Sequence, residues 1–189
     1  GRKEKGVSSD TVLKNYWSGN EEFADLFNAV LFGGSQIIRA DELENEDTED
    51  SVVLEHRKQA EGVKDARDNI KIMKKSTAYG VQLVLLGLES QEHIHYAMPL
   101  RVMGYDYATY KKQYNNNARQ YKKQSAQQDA RLDEHEFLSK MKKTDRLLPV
   151  VTIVIYYGEK VWDAATSLHG ILDIPAEMAP YVNDYRMLL

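Results

Sequence analysis

Val81-Gln82-Leu83-Val84-Leu85-Leu86-Gly87-Leu88 is nearly all apolar. A run this short suits a strand covered on both faces, not one with a solvated face. Upstream, Asp68-Asn69-Ile70-Lys71-Ile72-Met73-Lys74 alternates at strand length. The linker Lys75 to Gly80 is of hairpin size, so the two strands are expected to be antiparallel neighbours. Downstream, Leu147 to Tyr157 reads as another strand, with Val150 to Tyr157 at its centre, Gly158 turning it and Trp162 sealing the sheet edge. Between them, Leu100 to about Gln124 reads as a long helix with Leu100, Met103, Tyr107, Tyr110 and Tyr114 on one stripe. Before the hairpin, Asn20 to Phe32 reads as a helix, capped by Asn20 and ended by Gly33-Gly34. Gln36 to Ile38 is expected at a strand edge, and Leu168, Ile171 and Leu172 in a short helix before Pro175. The order helix, strand, strand, helix, strand predicts an α/β fold with a mixed sheet flanked by helices.

The chain of 189 residues fits one domain, 1–189, with enough length to bury a core. With 42% hydrophobic and 29% charged residues it falls in the globular class. No apolar stretch approaches the ~20 residues of a membrane span, so no membrane partner is expected. The start, Gly1 to Gly6, is polar without an apolar run behind it, which argues against a signal peptide and for a cytoplasmic location. Gly1 is read as a scar of tag removal. Zero cysteines exclude disulfides, thiolate zinc sites and cysteine nucleophiles. The net charge of −4 is uneven: Asp41 to Asp50, DELENEDTED, carries seven acids and no base. Outside it, 25 bases face 22 acids, and Arg101 to Arg146 holds eleven bases against six acids. That balance is compatible with nucleic acid and equally with a solvated helix face. Residues 41–64 are expected to form an exposed acidic loop, and 115–134 a polar, mobile segment.

Phosphate loops of the Gly-rich type, nucleophile elbows and zinc-protease helices are absent from the sequence. His93 and His95 form an H-x-H pair, better read as loop histidines than as zinc ligands. The hairpin carries more. Antiparallel pairing can bring Asp68, at the start of one strand, opposite Glu89, at the end of the other. Glu89 and Gln91 are two apart and so share a face. Two carboxylates and an amide would then converge beyond an apolar strand, where carboxylates need a partner or a cation. Hard oxygen ligands in small number suit Mg²⁺. The spacing leaves open the plainer alternative, in which Glu89 ends the strand in solvent and Asp68 pairs with Arg67 or a lysine. One turn on, Arg101 and Tyr105 lie four apart and could clamp a phosphate and orient a water, or be a surface Arg and a packing Tyr.

These stretches resemble the recombination-promoting nuclease/putative transposase family, a branch of the PD-(D/E)XK nuclease superfamily. The resemblance runs through Phe23 to Asn28 with Gly33-Gly34, Arg67-Asp68, and Leu85 to Gln91. It continues through His95-Tyr96-Ala97-Met98-Pro99-Leu100-Arg101, Tyr105, Asp145 to Gly158, Trp162-Asp163 and Asp184-Tyr185-Arg186. What it implies is a restriction-endonuclease-like PD-(D/E)XK core and metal-dependent cleavage of DNA phosphodiester bonds, linked to recombination or mobile DNA. Asp68 and Glu89 would bind Mg²⁺, with Mn²⁺ as a substitute. Gln91 would stand where the superfamily usually has Lys, and a neutral amide can only hydrogen-bond there. Asp25, on the first helix, would be an auxiliary acid. The family typically runs on past Leu189, so a C-terminal portion is expected to be missing.

Two functional classes follow. One is an active Mg²⁺-dependent DNA endonuclease with catalytic Asp68, Glu89 and Gln91 and substrate-binding Arg101 and Tyr105. The other is a catalytically weak or inactive nuclease-fold module that binds DNA or a protein partner. Tyr107, Tyr110, Tyr114 and Tyr121 are read mainly as core, with base stacking or a homodimer face as the alternative uses.

Overall fold

A computed structural model describes residues 9–46, 68–88, 94–127 and 133–189, leaving aside the side chains of residues 9, 10, 68–70, 125 and 127. Its centre is a four-stranded sheet of β1 (Leu43–Asn45), β2 (Asp68–Ser76), β3 (Val81–Leu88) and β4 (Val150–Tyr156), in that spatial order. β1, β2 and β3 pair antiparallel, whereas β3 and β4 pair parallel. A parallel pair needs a crossover. Here it contains α3 (Met98–Gln127) and the short α4 (Glu134–Ser139). α1 (Ser9–Ser18) and α2 (Asn20–Phe32) precede the sheet.

Alternation along β3 explains why both faces must be covered. Leu83 and Leu85 pack with Phe23, Phe27, Ile38, Leu43, Ile72 and Ile153, which places α2 over that face. Val84, Leu86 and Leu88 pack with Met98, Val102, Val154 and Met187, which places α3 over the other. The mixed α/β architecture expected from the strand pattern is therefore present, as a sheet flanked by helices on both sides. The hairpin is also as expected: Gly80 turns it at φ 62°, and its N–H donates to the Ser76 carbonyl at 2.9 Å.

Several local expectations need correction. α2 covers the expected residues and ends where Gly33 adopts φ 59°, but Gly19 occupies the N-cap position. The Asn20 side chain instead donates to the Ala40 and Leu43 carbonyls at 3.1 and 3.2 Å. Gln36 to Ile38 is not a strand; buried Asn28 holds it as coil, accepting from the Ile37 and Ile38 N–H groups and donating to the Ile38 carbonyl. The first part of the acidic stretch is structured too. Ala40–Glu42 is a 3₁₀ turn, Leu43 is buried, and the Glu42 carboxylate accepts from Ser76 Oγ and from the Ala78 N–H at the hairpin. Residues 47–64 lie outside the described residues.

Helix α3 runs a little further than expected, and a different side of it is buried. Its polar second half continues the helix through Gln127, and Ala118 and Tyr121 are buried there. Its sheet-facing side is Met98, Val102, Asp106, Thr109 and Gln113, whereas Leu100 and Tyr107 of the expected stripe are exposed. Polar residues on the buried side hide the true stripe from a hydrophobicity count. Tyr110 and Tyr114 bond rather than stack: the Tyr110 hydroxyl accepts from the Val150 N–H, and Tyr114 donates to the Ser139 carbonyl. α4 was not expected from its composition; Asp133 caps it, accepting from the His135 and Glu136 N–H groups.

β4 starts later than expected, after Pro149. The chain end lies along its outer edge, where the Val154 N–H donates to the Leu188 carbonyl at 2.8 Å. Trp162, expected to seal the sheet edge, instead packs edge-on against Tyr156 in the α3-side cluster, and Leu188 takes the edge of β4. The helix expected around Leu168 is a single 3₁₀ turn, His169–Ile171.

One charge sits inside the α2 layer. Lys74, only 1% exposed, donates to the Ser18 carbonyl (2.8 Å), Asn20 Oδ1 (2.7 Å) and Asn45 Oδ1 (2.6 Å). Three N–H groups meet three neutral oxygens, so the ammonium is satisfied although burial pushes its pKa down. This bond set ties the α1–α2 junction and β1 to β2. Lys74→Met keeps the apolar stem and removes the donor from all three oxygens. Urea unfolding should show a loss of about 2–4 kcal/mol with little change in slope. A loss under 0.5 kcal/mol would show that the junction is held by packing alone.

Candidate active site

The end of the sheet where β2 begins and β3 finishes is set by register. Asp68 pairs with Leu88, and an irregularity between Asp68 and Ile70 shifts the ladder there. Glu89 and Gln91 lie outside the described residues, as does His93 and the side chain of Asp68. The backbone pairing thus carries Asp68 to a position across from the residue that precedes Glu89 in the chain.

Helix α3 starts at the same end, because Met98 and Val102 share the core with Leu88. The Met98 N–H donates to the His95 carbonyl at 3.1 Å and the Arg101 N–H to that of Ala97 at 3.2 Å, which starts the first turn. Arg101 and Tyr105 are both half-buried. Tyr105 packs against the Leu88 and Met98 cluster, and Lys71 Nζ lies 5.0 Å from the centre of its ring. A cation over a tyrosine face is worth about 0.5–2 kcal/mol, more when desolvated. Asp25 is in the opposite layer, exposed on α2, where it accepts from Gln36 Nε2 at 3.3 Å.

One residue deeper on α3, Asp106 faces the sheet at 6% exposure and accepts a hydrogen bond from Thr152 Oγ1. Burial raises its carboxyl to about 6; the Thr152 bond and the charge of Lys71 pull the other way without restoring the ordinary value. The sequence reading missed this cluster of Lys71, Tyr105, Asp106 and Thr152. A signal was available: Met98, Val102 and Asp106 are spaced by four, so an acid falls on a core-facing row. Buried ionisable groups that lower stability tend to be kept for function, and this one abuts Tyr105. Chemically, the cluster can hold the α3 face against β2 and β4 and fix Tyr105 under a cation.

Among the described residues there is no group of three or more His, Cys, Asp or Glu suited to a metal, and no helix long and apolar enough to cross a membrane. No family model, curated protein or solved structure matches the chain. The fold is an α/β domain with a mixed sheet, a hairpin whose open end carries Asp68 in its backbone ladder, and a crossover helix with Arg101 and Tyr105 in its first turns.

A carboxyl raised on folding favours the native state at low pH and loses that advantage as pH rises through the folded value. For Asp106 the window is from about 4 to above 6. Asp106→Asn keeps an acceptor for Thr152 and removes the buried charge. Its melting temperature should match wild type near pH 4 and exceed it by about 5–10 °C at pH 8, the effect of roughly 3 kcal/mol. Thermal melts across that range check this; a mutant equally unstable at all pH values would contradict it.

Proposed function

We propose that the chain is a Mg²⁺-dependent DNA endonuclease with a PD-(D/E)XK core, acting in recombination or on mobile DNA. The observation that carries this reading is the pairing of Asp68 with Leu88, one residue before Glu89. The sequence resemblance at Leu85 to Gln91 and at Met98 to Arg101 supports it, as does α3 beginning at the same sheet end.

Asp68 and Glu89 supply the hard carboxylate oxygens that Mg²⁺ takes, in a number that leaves positions for water and phosphate. When bound, the ion lowers the pKa of a water and neutralises charge on the phosphate under attack, and Mn²⁺ could substitute. Gln91 would hydrogen-bond at the reacting group as a neutral donor. Arg101 would hold a phosphate oxygen, and Tyr105 would orient its neighbours on the same turn. The surroundings of Tyr105 suit that task, because Lys71 and the Asp106–Thr152 bond restrict its environment. A second reading is a DNA- or partner-binding module with weak or no cleavage, favoured by the neutral Gln91 where a cation would assist.

Supercoiled-plasmid nicking with Mg²⁺, Mn²⁺ or EDTA separates these readings. Wild type should nick only with metal. Asp68→Ala and Glu89→Ala should each lose at least about 100-fold, or ~2.7 kcal/mol of barrier. Arg101→Ala should lose about tenfold. The same trace nicking in wild type and both carboxylate variants would sink the nuclease reading and leave the binding module.

A further inference from the structure

Twenty residues along α3 from Arg101, a second polar site occurs. Asn117, Gln120, Tyr121 and Gln124 line a cavity of about 100 Å³ whose remaining lining is Lys142 and Asp145. Tyr121 is 5% exposed, and its buried hydroxyl has no hydrogen-bond partner. Leaving such a group unpaired costs about 1–3 kcal/mol, so a native chain that keeps it invites a ligand. Burial, with Glu136, Asp133 and Asp145 nearby, raises the phenol above its usual value, so it stays a donor at neutral pH.

The rest of the lining narrows the ligand class. Lys142 Nζ donates to Gln124 Oε1 at 3.2 Å, and its backbone N–H donates to Asp145 Oδ2 at 2.8 Å. One cation and one carboxylate in the same cavity disfavour a simple anion and a simple cation alike. Amides, a phenol, an ammonium and a carboxylate instead match a flat, neutral group that carries its own donors and acceptors. Base edges are read by this set: adenine by Asn and Gln, the cytosine amine by Asp, guanine by Lys. A water needs roughly 10–15 Å³ by this measure, so the cavity has room for several waters or one flat ring. Lys143, beside Lys142 on the facing loop, is exposed. These two lysines suit a phosphate next to a captured nucleotide.

We propose that this cavity binds an unpaired nucleobase of a nucleic-acid strand, with Asn117, Gln120 and Asp145 on the base edge and Tyr121 donating from below. The inference rests on the DNA reading above and deepens it, naming the state of the nucleotide that the protein prefers. The same base chemistry could arrive on a free nucleotide, and the test separates the two sources.

Binding is measured by fluorescence anisotropy in EDTA, so that cleavage is not required. The full chain is titrated into a labelled duplex with one bulged nucleotide and into the same duplex fully paired. The bulged duplex should bind roughly tenfold tighter, since its base needs no unpairing. Tyr121→Phe, which keeps the ring, and Gln120→Ala, at an exposed position, should each cut that preference roughly 2- to 10-fold, the worth of one hydrogen bond. Both should leave paired-duplex affinity unchanged. Equal affinity for the two duplexes, or a preference that neither variant moves, overturns the proposal. Competition by a nucleoside monophosphate as effective as the unlabelled bulged strand overturns it in favour of a free nucleotide. A bulge preference without metal-dependent nicking would retain this site and reject the endonuclease, and nicking without the preference would do the reverse.

Discussion

β3 has no face to spare for water. Its side chains are buried on alternate sides, Leu83 and Leu85 toward α2 and Val84, Leu86 and Leu88 toward α3. Each such residue left exposed would forfeit about 1.5–3 kcal/mol. A sheet built around this strand therefore requires a helical layer on both sides. α1 and α2 provide one before the hairpin, and the crossover to β4 provides the other. Parallel pairing of β3 with β4 follows from the same need, because only a crossover lays a helix over the face that the N-terminal helices leave open.

Among the described residues, the charged side chains Lys74 and Asp106 are buried inside these layers, and they differ in how well their charge is matched. Lys74 has as many acceptors as donors, and all belong to segments it must hold together. It reads as a polar staple in an apolar layer. Asp106 is bonded by Thr152 and lies in the field of Lys71, yet its carboxyl is still shifted to about 6 by burial. It is therefore a net burden near neutral pH, in a layer where Val102 shows that an aliphatic side chain packs well. Thr152 pairs with Val84 in the middle of β3, so Asp106 fixes α3 to the sheet at mid-strand, one residue on from Tyr105.

Legibility in the sequence tracked how far each element relies on its own periodicity. β3 and α2 were readable to their ends because an unbroken apolar run and a helical spacing closed by glycines are local signals. α3 was readable as a helix but not in its orientation. Asp106, Thr109 and Gln113 occupy core-facing positions that only the partners Thr152, Gln82 and Leu148 make tolerable. β1 and α4 were invisible for a related reason. Leu43 is the buried anchor among the described residues of the acidic stretch, and α4 depends on its Asp133 cap and on Tyr114 reaching Ser139. Of the site, the backbone convergence of Asp68 on the end of β3 followed from hairpin logic alone. The Lys71–Asp106–Thr152 cluster joins residues from three elements, and no spacing within one element encodes it.

The two polar regions of α3 also constrain each other. Arg101 and Tyr121 are twenty positions apart on one helix, and at 1.5 Å per residue that is about 30 Å. A nucleic-acid strand advances about 3.4 Å per phosphate in a duplex, so a strand spanning both regions would cover roughly nine nucleotides. The helix between them is anchored to the sheet by Gln113, which bonds Gln82 and the Leu148 carbonyl, and by the Tyr110 hydroxyl at Val150. These bonds fix its middle turns to the start of β3 and β4. Cleavage at the sheet end and capture of an unpaired base at the far end would then occur at a set separation, decided by helix length and not by the flexibility of either site.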